Sequence, residues 1–322
     1  MTLTLHPHQV RAVAAGIASL RAGHTPVLSV ATGGGKSLIA ADLAYRGHGR
    51  VLVTAHRKEL VAGNAAEMLE LHPDADVGIY SAGVGRRDTS NKVVFAGIDS
   101  VVNRMADLQA GGPFSAVIVD EAHRIPLKNK PSRYRTLLEA CPGAKLIGMT
   151  ATPYRLDGGL LYDGPDTWFD DLAIDVGIRE LTDAVLLTPL IGVRGDVEPN
   201  LKGVAKSVGD WSPGELSERM MEDEVVQDAM AEIMALAKDR ESWLIFCVDV
   251  KHVELVAKEL QMRGVDARLV TGKTPKDERD ALINGFKNRE FRALVNCEIL
   301  TTGSNLPCAD CGILLRPTES KG

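Results

Sequence analysis

The sequence predicts an α/β protein with two mainly parallel sheets, each flanked by helices, and three observations carry that expectation. Short apolar, β-branched runs alternate with helical patterns in two separate stretches, the signature of βαβ units. Those runs are almost continuously apolar, as strands buried on both faces must be. Between the two stretches, from about Leu156 to Glu241, the rhythm weakens, and Gly158-Gly159, Gly164-Pro165 and Trp211–Gly214 punctuate the chain.

In chain order, the strand candidates of the first stretch are Val27–Val30, Val51–Thr54, Val93–Ala96, Ala116–Val119 and Lys145–Met149, with helices expected at Ser37–Tyr45 and Lys58–Leu71. The middle stretch reads as a connector with its own small elements, including a helix at Glu224–Lys238. The second series runs Trp243–Val248, a helix near Lys251–Met262, Ala267–Val270, a helix near Lys276–Phe286, Ala293–Cys297 and Gly312–Leu315. The expected organisation is therefore a first domain over residues 1–175, a connector over 176–240 and a second domain over 241–322.

A chain of 322 residues has room for two ordinary domains, and 45% hydrophobic with 25% charged residues is the balance of a globular protein with real cores. No apolar run approaches the roughly 20 residues that span a bilayer. The N-terminus has no basic segment followed by an apolar one, so no secretory signal is read and a cytoplasmic location is expected. A net charge of −6 excludes binding to polynucleotides or membranes by bulk charge, but not by a local basic track. The five cysteines are an odd number with no sign of export, which argues against a disulfide framework. Cys308 and Cys311 form a lone C-x-x-C that reads as ordinary thiols or as a metal or redox pair; with no second pair at ligand spacing, the former is preferred.

The strongest local signal is Val30-Ala31-Thr32-Gly33-Gly34-Gly35-Lys36-Ser37, which follows a strand candidate and opens a helix. Three glycines let backbone N–H groups turn inward around phosphate oxygens, and the helix N-terminus adds partial positive charge. Lys36 would reach the β- and γ-phosphates, and the Ser37 hydroxyl would ligate Mg²⁺. Val30 stands where the strict pattern has Gly; a glycine-rich turn with an exposed lysine is the competing reading. The second signal is Asp120-Glu121-Ala122-His123, directly after the apolar run Ala116–Val119. A carboxylate at the tip of a buried parallel strand sits on the edge where open α/β sheets bind ligands. Asp120 suits Mg²⁺ and Glu121 suits activation of a water, the alternative being an acidic helix cap.

With Thr150-Ala151-Thr152-Pro153 following in order, these motifs resemble the superfamily-two helicases of the DEAD/DEAH class. The longer string Gly148–Gly158 looks like the branch of bacterial and phage DNA repair helicases and type III restriction motors. The resemblance implies two RecA-like P-loop domains, ATP and Mg²⁺ as cofactors, and a nucleic-acid partner, DNA favoured over RNA, with no membrane. It implies catalytic roles for Lys36, Asp120, Glu121 and His123. Gln9, in Leu5-His6-Pro7-His8-Gln9, would contact adenine, whereas on its own it reads as a surface helix residue. Thr32, Gly33, Gly34, Gly35, Lys36, Ser37 and Gly303 would complete the nucleotide site, with Ser37 and Asp120 on the metal. His56, Arg57, Ser100 and Thr301 would touch the polynucleotide, and Thr150 and Thr152 would relay the γ-phosphate state to it. Without the resemblance, Thr54–Leu60 reads as a solvated helix start and the two threonines as local turn bonding.

Val295–Pro307 resembles the family's fifth motif, with Asn305 where Asp is usual. The Gln-x-x-Gly-Arg motif that supplies arginine fingers normally follows the strand at Gly312–Thr318 and is not reached before Gly322, so the second domain is expected to be incomplete and turnover slow. Trp168-Phe169 and Trp211 are read as packing before base stacking. Lys128, Lys130, Arg86 and Arg87 are either phosphate contacts or surface charge. The leading expectation is an ATP-dependent DNA helicase or translocase. The alternatives are an RNA helicase and a hydrolysis-deficient, ATP-gated nucleic-acid-binding protein; the Asp-Glu-Ala-His and Thr-Ala-Thr-Pro pair argues against a general P-loop kinase or GTPase.

Overall fold

The computed structural model describes residues 3–56, 58–155, 159–197, 199–207, 210–300 and 306–318. They form two compact units that divide between Leu190 and Ile191. The strands of the first unit are β1 (Pro26–Val30), β2 (Arg50–Ala55), β3 (Val77–Ser81), β4 (Arg86–Arg87), β5 (Val93–Gly97), β6 (Phe114–Asp120), β7 (Lys145–Thr150), the small hairpin β8 (Tyr154–Arg155) and β9 (Gly159–Leu160), and β10 (Asp171–Val176). Apart from that hairpin they make one sheet in the order β10-β1-β7-β6-β2-β5-β3-β4. Its pairings are parallel save for β3 with β4, so the strands share one C-terminal edge.

Why the strands are apolar throughout is visible in the two cores. Leu28, Val30, Val53, Ile118, Ile147 and Met149 pack on one face with helices α1 (Pro7–Arg21), α2 (Lys36–Arg46) and α3 (Lys58–Leu71). Their strand neighbours Val27, Leu52, Val94, Val117 and Val119 pack on the other with α4 (Ile98–Val101), α5 (Met105–Gln109) and α6 (Arg133–Glu139). Alternate side chains thus enter alternate cores, and a fully buried residue such as Leu52 would cost about 2–5 kcal/mol if cut to alanine.

The stretch 176–240, expected as a connector, is divided between the units. Helix α7 (Ile178–Asp183) belongs to the first, because Leu181 is fully buried in the α1–α3 core. Helices α8 (Pro213–Met220) and α9 (Asp223–Leu236) belong to the second, with the short pair β11 (Lys206–Ser207) and β12 (Asp210–Trp211). There β13 (Trp243–Phe246), β14 (Ala267–Val270), β15 (Ala293–Asn296) and β16 (Cys311–Leu314) make an all-parallel sheet in the order β14-β15-β13-β16. Val226, Met230 and Ile233 of α9 and Val253, Val256 and Leu260 of α10 (Val250–Met262) cover one face. Phe286 of α11 (Lys276–Lys287) packs with Phe291 and Leu294 on the other. Among the described residues no helix is long and apolar enough to cross a membrane.

Candidate nucleotide site and nucleic-acid face

The sheet order explains how motifs far apart in sequence meet. β1, β7 and β6 are neighbours, so the loop after β1, Thr150 at the end of β7 and Asp120 at the end of β6 lie side by side on one edge. After β1 the chain turns through Ala31–Gly35 and enters α2 at Lys36. Gly33 and Gly35 have φ of 85° and 73°, in the left-handed region that favours glycine. All three glycines are also closely packed. A Cβ on Gly33 would lie 2.6 Å from Leu187 Cδ2, one on Gly34 would lie 2.6 Å from Val30 Cγ1, and one on Gly35 would collide with Gln9 Nε2. Thr32 is exposed, Ser37 is half-buried in the first turn of α2, and Lys36 Nζ reaches back to Val30 O at 3.3 Å.

Gln9 is 2% exposed, so the reading of it as a surface residue is corrected. Its Oε1 accepts from His6 N at 2.8 Å and its Nε2 donates to Gly34 O at 3.3 Å. The adjacent His8 also bonds Gly34 O, at 2.8 Å. Sequence reasoning quoted His8 within its motif but gave it no role.

Asp120 and Glu121 follow as a pair. Burial pushes the Asp120 carboxyl up to about 6; the Glu121 charge adds to the shift, and Lys36 and the Glu121 N–H oppose it. That N–H donates to Asp120 Oδ1 at 2.9 Å. Glu121 has φ 54° and ψ 50°, a left-handed conformation that a non-glycine residue adopts at a cost and that recurs at functional sites. His123 Nδ1 lies 2.9 Å from Thr150 Oγ1 and 3.4 Å from Glu121 Oε2. Thr150 is fully buried; its hydroxyl donates to Thr152 O and accepts from Thr152 N, both at 3.0 Å. With its one proton spent on Thr152 O, Thr150 can only accept from His123, so the neutral ring carries its proton on Nδ1. Burial lowers the His123 pKa, which favours that neutral form. The local turn bonding expected of the two threonines is present, and it is joined to the Asp-Glu-Ala-His motif.

The residues fit a magnesium nucleotide. Mg²⁺ keeps several waters and takes phosphate oxygens, so it needs only one or two protein ligands. Ser37 and Asp120 can provide them, and a carboxyl held near 6 beside a second carboxylate is a place short of positive charge.

Further along the same edge, β2, β5 and β3 end around a cavity of about 480 Å³. His56 and Ser100 line it, together with Arg87, Asn103 and Arg104. Arg87 was offered from sequence as a phosphate contact; Asn103 and Arg104 were not, since only the pairing of β3 with β5 brings them there. Ser100 Oγ accepts from Ala82 N at 3.0 Å, which ties two of the lining loops together. Arg57, Thr301 and Gly303 lie outside the described residues, as does Asn305. Arg316 faces Glu298 at 3.4 Å and Asp210 at 3.9 Å. Trp168 donates to Pro126 O and lies under Lys128, Phe169 is buried, and Trp211 packs with Leu216 and lies under Lys206.

Residues 2–155 match the family "Type III restriction enzyme, res subunit", and residues 225–321 match "Helicase conserved C-terminal domain". Together these cover more than three quarters of the chain. IRC3 of Saccharomyces cerevisiae, which carries the name of an ATP-dependent helicase, is 28% identical over 98% of this chain and 48% of its own length. The irc3 protein of Schizosaccharomyces pombe is 27% identical over 96% of this chain and 52% of its own. The chain thus spans about half the length of these relatives. The DNA 3'-5' translocase XPB2 of Sulfurisphaera tokodaii is 22% identical over 97% of this chain and 75% of its own. Among solved structures, the Hef helicase domain of Pyrococcus furiosus shares the fold with a TM-score of 0.54 at 16% identity, over 99% of this chain and 92% of that one. With two RecA-like units, both helicase family matches and the motifs gathered on one sheet edge, the chain belongs to the superfamily-two helicases.

Proposed function

We propose that this chain is the motor core of an ATP-dependent helicase or translocase that acts on DNA. The observation that carries the reading is the cluster in which His123 Nδ1 donates to Thr150 Oγ1, Thr150 bonds Thr152, and Glu121 Oε2 lies 3.4 Å from the same Nδ1, built beside the glycine loop and Asp120. It sets the carboxylate that would activate water close to the strand end next door.

In this reading the amides of Gly33, Gly35, Lys36 and Ser37 cradle the β- and γ-phosphates, while the Gly34 N–H holds the turn by donating to Ala31 O, and Lys36 leaves Val30 O to neutralise the phosphates. Ser37 and Asp120 hold the metal, and Gln9 contacts the adenine. Bound MgATP supplies the phosphoanhydride that is cleaved and the metal charge that offsets the anionic phosphates. Glu121 orients a water and accepts its proton, while neutral His123 donates to Thr150 and borders the Glu121 carboxylate. His56, Arg57, Ser100 and Thr301, joined by Arg87 and Arg104, hold the polynucleotide backbone, and Gly303 contacts the nucleotide.

DNA is favoured over RNA because the match over residues 2–155 is to a restriction-enzyme family and one relative is named a DNA translocase. The test is ATP hydrolysis by the full-length protein with and without DNA. DNA should raise the rate, and Lys36→Ala should abolish it at either condition. No stimulation by any polynucleotide overturns the motor reading; stimulation by RNA in preference to a matched DNA strand overturns the substrate assignment.

A further inference from the structure

The Gly34 carbonyl receives two side-chain donors from consecutive residues at the start of α1: His8 Nε2 at 2.8 Å and Gln9 Nε2 at 3.3 Å. Both side chains are buried, and the His8 ring is stacked on His6 with centroids 5.9 Å apart. A loop that turns its N–H groups inward to hold phosphate must turn carbonyls outward into protein, where one left without a donor is costly. Gly34 is packed closely enough that a Cβ there would lie 2.6 Å from Val30 Cγ1 and 3.1 Å from Leu181 Cδ1.

The two donors differ in what they have left to offer. A carbonyl oxygen only accepts, so His8 Nε2 carries a proton and spends it on Gly34; nothing on that nitrogen remains for a ligand. Gln9 uses one lone pair of Oε1 on His6 N and one Nε2 proton on Gly34 O, which leaves an acceptor site and a donor proton on one amide. We propose, building on the MgATP reading above in which Gln9 contacts the adenine, that His8 is a positioning residue that fixes the phosphate loop for any polyphosphate. The helix start thus divides the nucleotide between neighbouring side chains: His8 sets the curve of the loop and Gln9 sets the preference for adenine.

The experiment is calorimetric titration of the full chain with ATP and with inorganic tripolyphosphate, each with Mg²⁺. His8→Phe keeps the ring and removes the donor, and should weaken both ligands by a similar factor, about tenfold. His8→Asn, whose shorter amide falls short of Gly34 O, should do the same and serves if the Phe variant folds poorly. His8→Gln places an amide nitrogen near the original Nε2 and should restore both affinities. Gln9→Ala should weaken ATP by a larger factor than tripolyphosphate, since it removes the base contact together with the longer of the two bonds to Gly34 O. The division is overturned if His8→Phe and His8→Asn bind tripolyphosphate as wild type does, or if Gln9→Ala loses both ligands alike. Failure of the wild-type chain to bind ATP would instead sink the reading of the site itself, a result distinct from either.

Discussion

The two units present the same architecture and opposite chemistry at their C-terminal strand edges. In the first, β1, β6 and β7 end in the glycine loop with Lys36, in Asp120 followed by Glu121, and in Thr150. In the second, β13 and β15 run into Cys247 and Cys297, thiols whose pKa values burial raises, which keeps them protonated. Asn296, at the end of β15, is fully buried and spends its amide on Ile245 O and Leu300 N. The parallel sheet supplies an edge in both cases. Directly after the central strands the first edge carries a lysine and two carboxylates and the second carries buried thiols, with Asp249 and Glu298 only beyond them, because chemistry belongs to the residues grafted on the edge and not to the fold.

Exchanging the central residue of each edge should give the largest contrast. Glu121→Gln keeps shape and removes the base, and steady-state ATPase should fall by roughly 10²–10⁴-fold. Cys247→Ala removes a buried thiol, so it should cost about 1 kcal/mol in a melting experiment and leave the rate within about threefold. Comparable inactivation by Cys247→Ala would break the comparison. Within the first edge, Thr150→Val deletes the acceptor of the His123 and Thr152 N–H groups. It should lower DNA-stimulated turnover about tenfold and destabilise the chain by about 1–3 kcal/mol. If stability falls and stimulation is intact, the cluster from Glu121 to Thr152 is structural only.

A subtler contrast lies in pH. The folded Asp120 carboxyl titrates near 6, above its ordinary value, so between about pH 4 and 6 the folded chain holds a proton that the unfolded chain has released. Stability of the nucleotide-free protein therefore declines as pH rises through that window and levels off above it. Asp120→Asn removes the decline, worth at most about 3 kcal/mol. Its melting advantage over wild type should grow from pH 4 to pH 6 and stay constant beyond. An advantage equal at pH 4 and pH 7 would show that Asp120 is not held neutral. No such window is expected of Cys247, which is protonated on both sides of it.

The nucleotide half of the site was legible because its signals are local. Gly33–Ser37 and Asp120–His123 each sit in a few consecutive residues after an apolar strand, and the central strands announced themselves as apolar runs. The edge strands did not. In β10, Asp171 and Asp175 interrupt the apolar pattern of a strand that is only partly covered, and β3 contains Gly78. That glycine is required because a Cβ there would press on Asn91 and Asp88 of the returning chain, a contact no local pattern reveals. The same reason hid Leu187, which meets the loop at Gly33 from about 150 residues away in sequence. His8 was hidden differently: its partner is a backbone carbonyl, and no residue pattern encodes a carbonyl's direction.

The smallest expected effect separates the two halves of the first unit's edge. Arg87 and Arg104 line the cavity between β3, β5 and the segment after β2; β5, which leads into Arg104, is two strand spacings, or roughly 10 Å, from the strand that ends in Asp120, and β4, which carries Arg87, is four. At that distance in water a single arginine has little influence on a buried carboxyl, while a phosphate in direct contact would feel it fully. Arg104→Ala should therefore weaken DNA several-fold and reduce the slope of log affinity against log salt by about one, as loss of one phosphate contact requires. ATP affinity measured without DNA should not move. If ATP binding changes as much as DNA binding does, the edge is one cooperative site and not two adjoining ones. The contrast that matters would then be between the units alone, with the cavity counted as part of the nucleotide machinery.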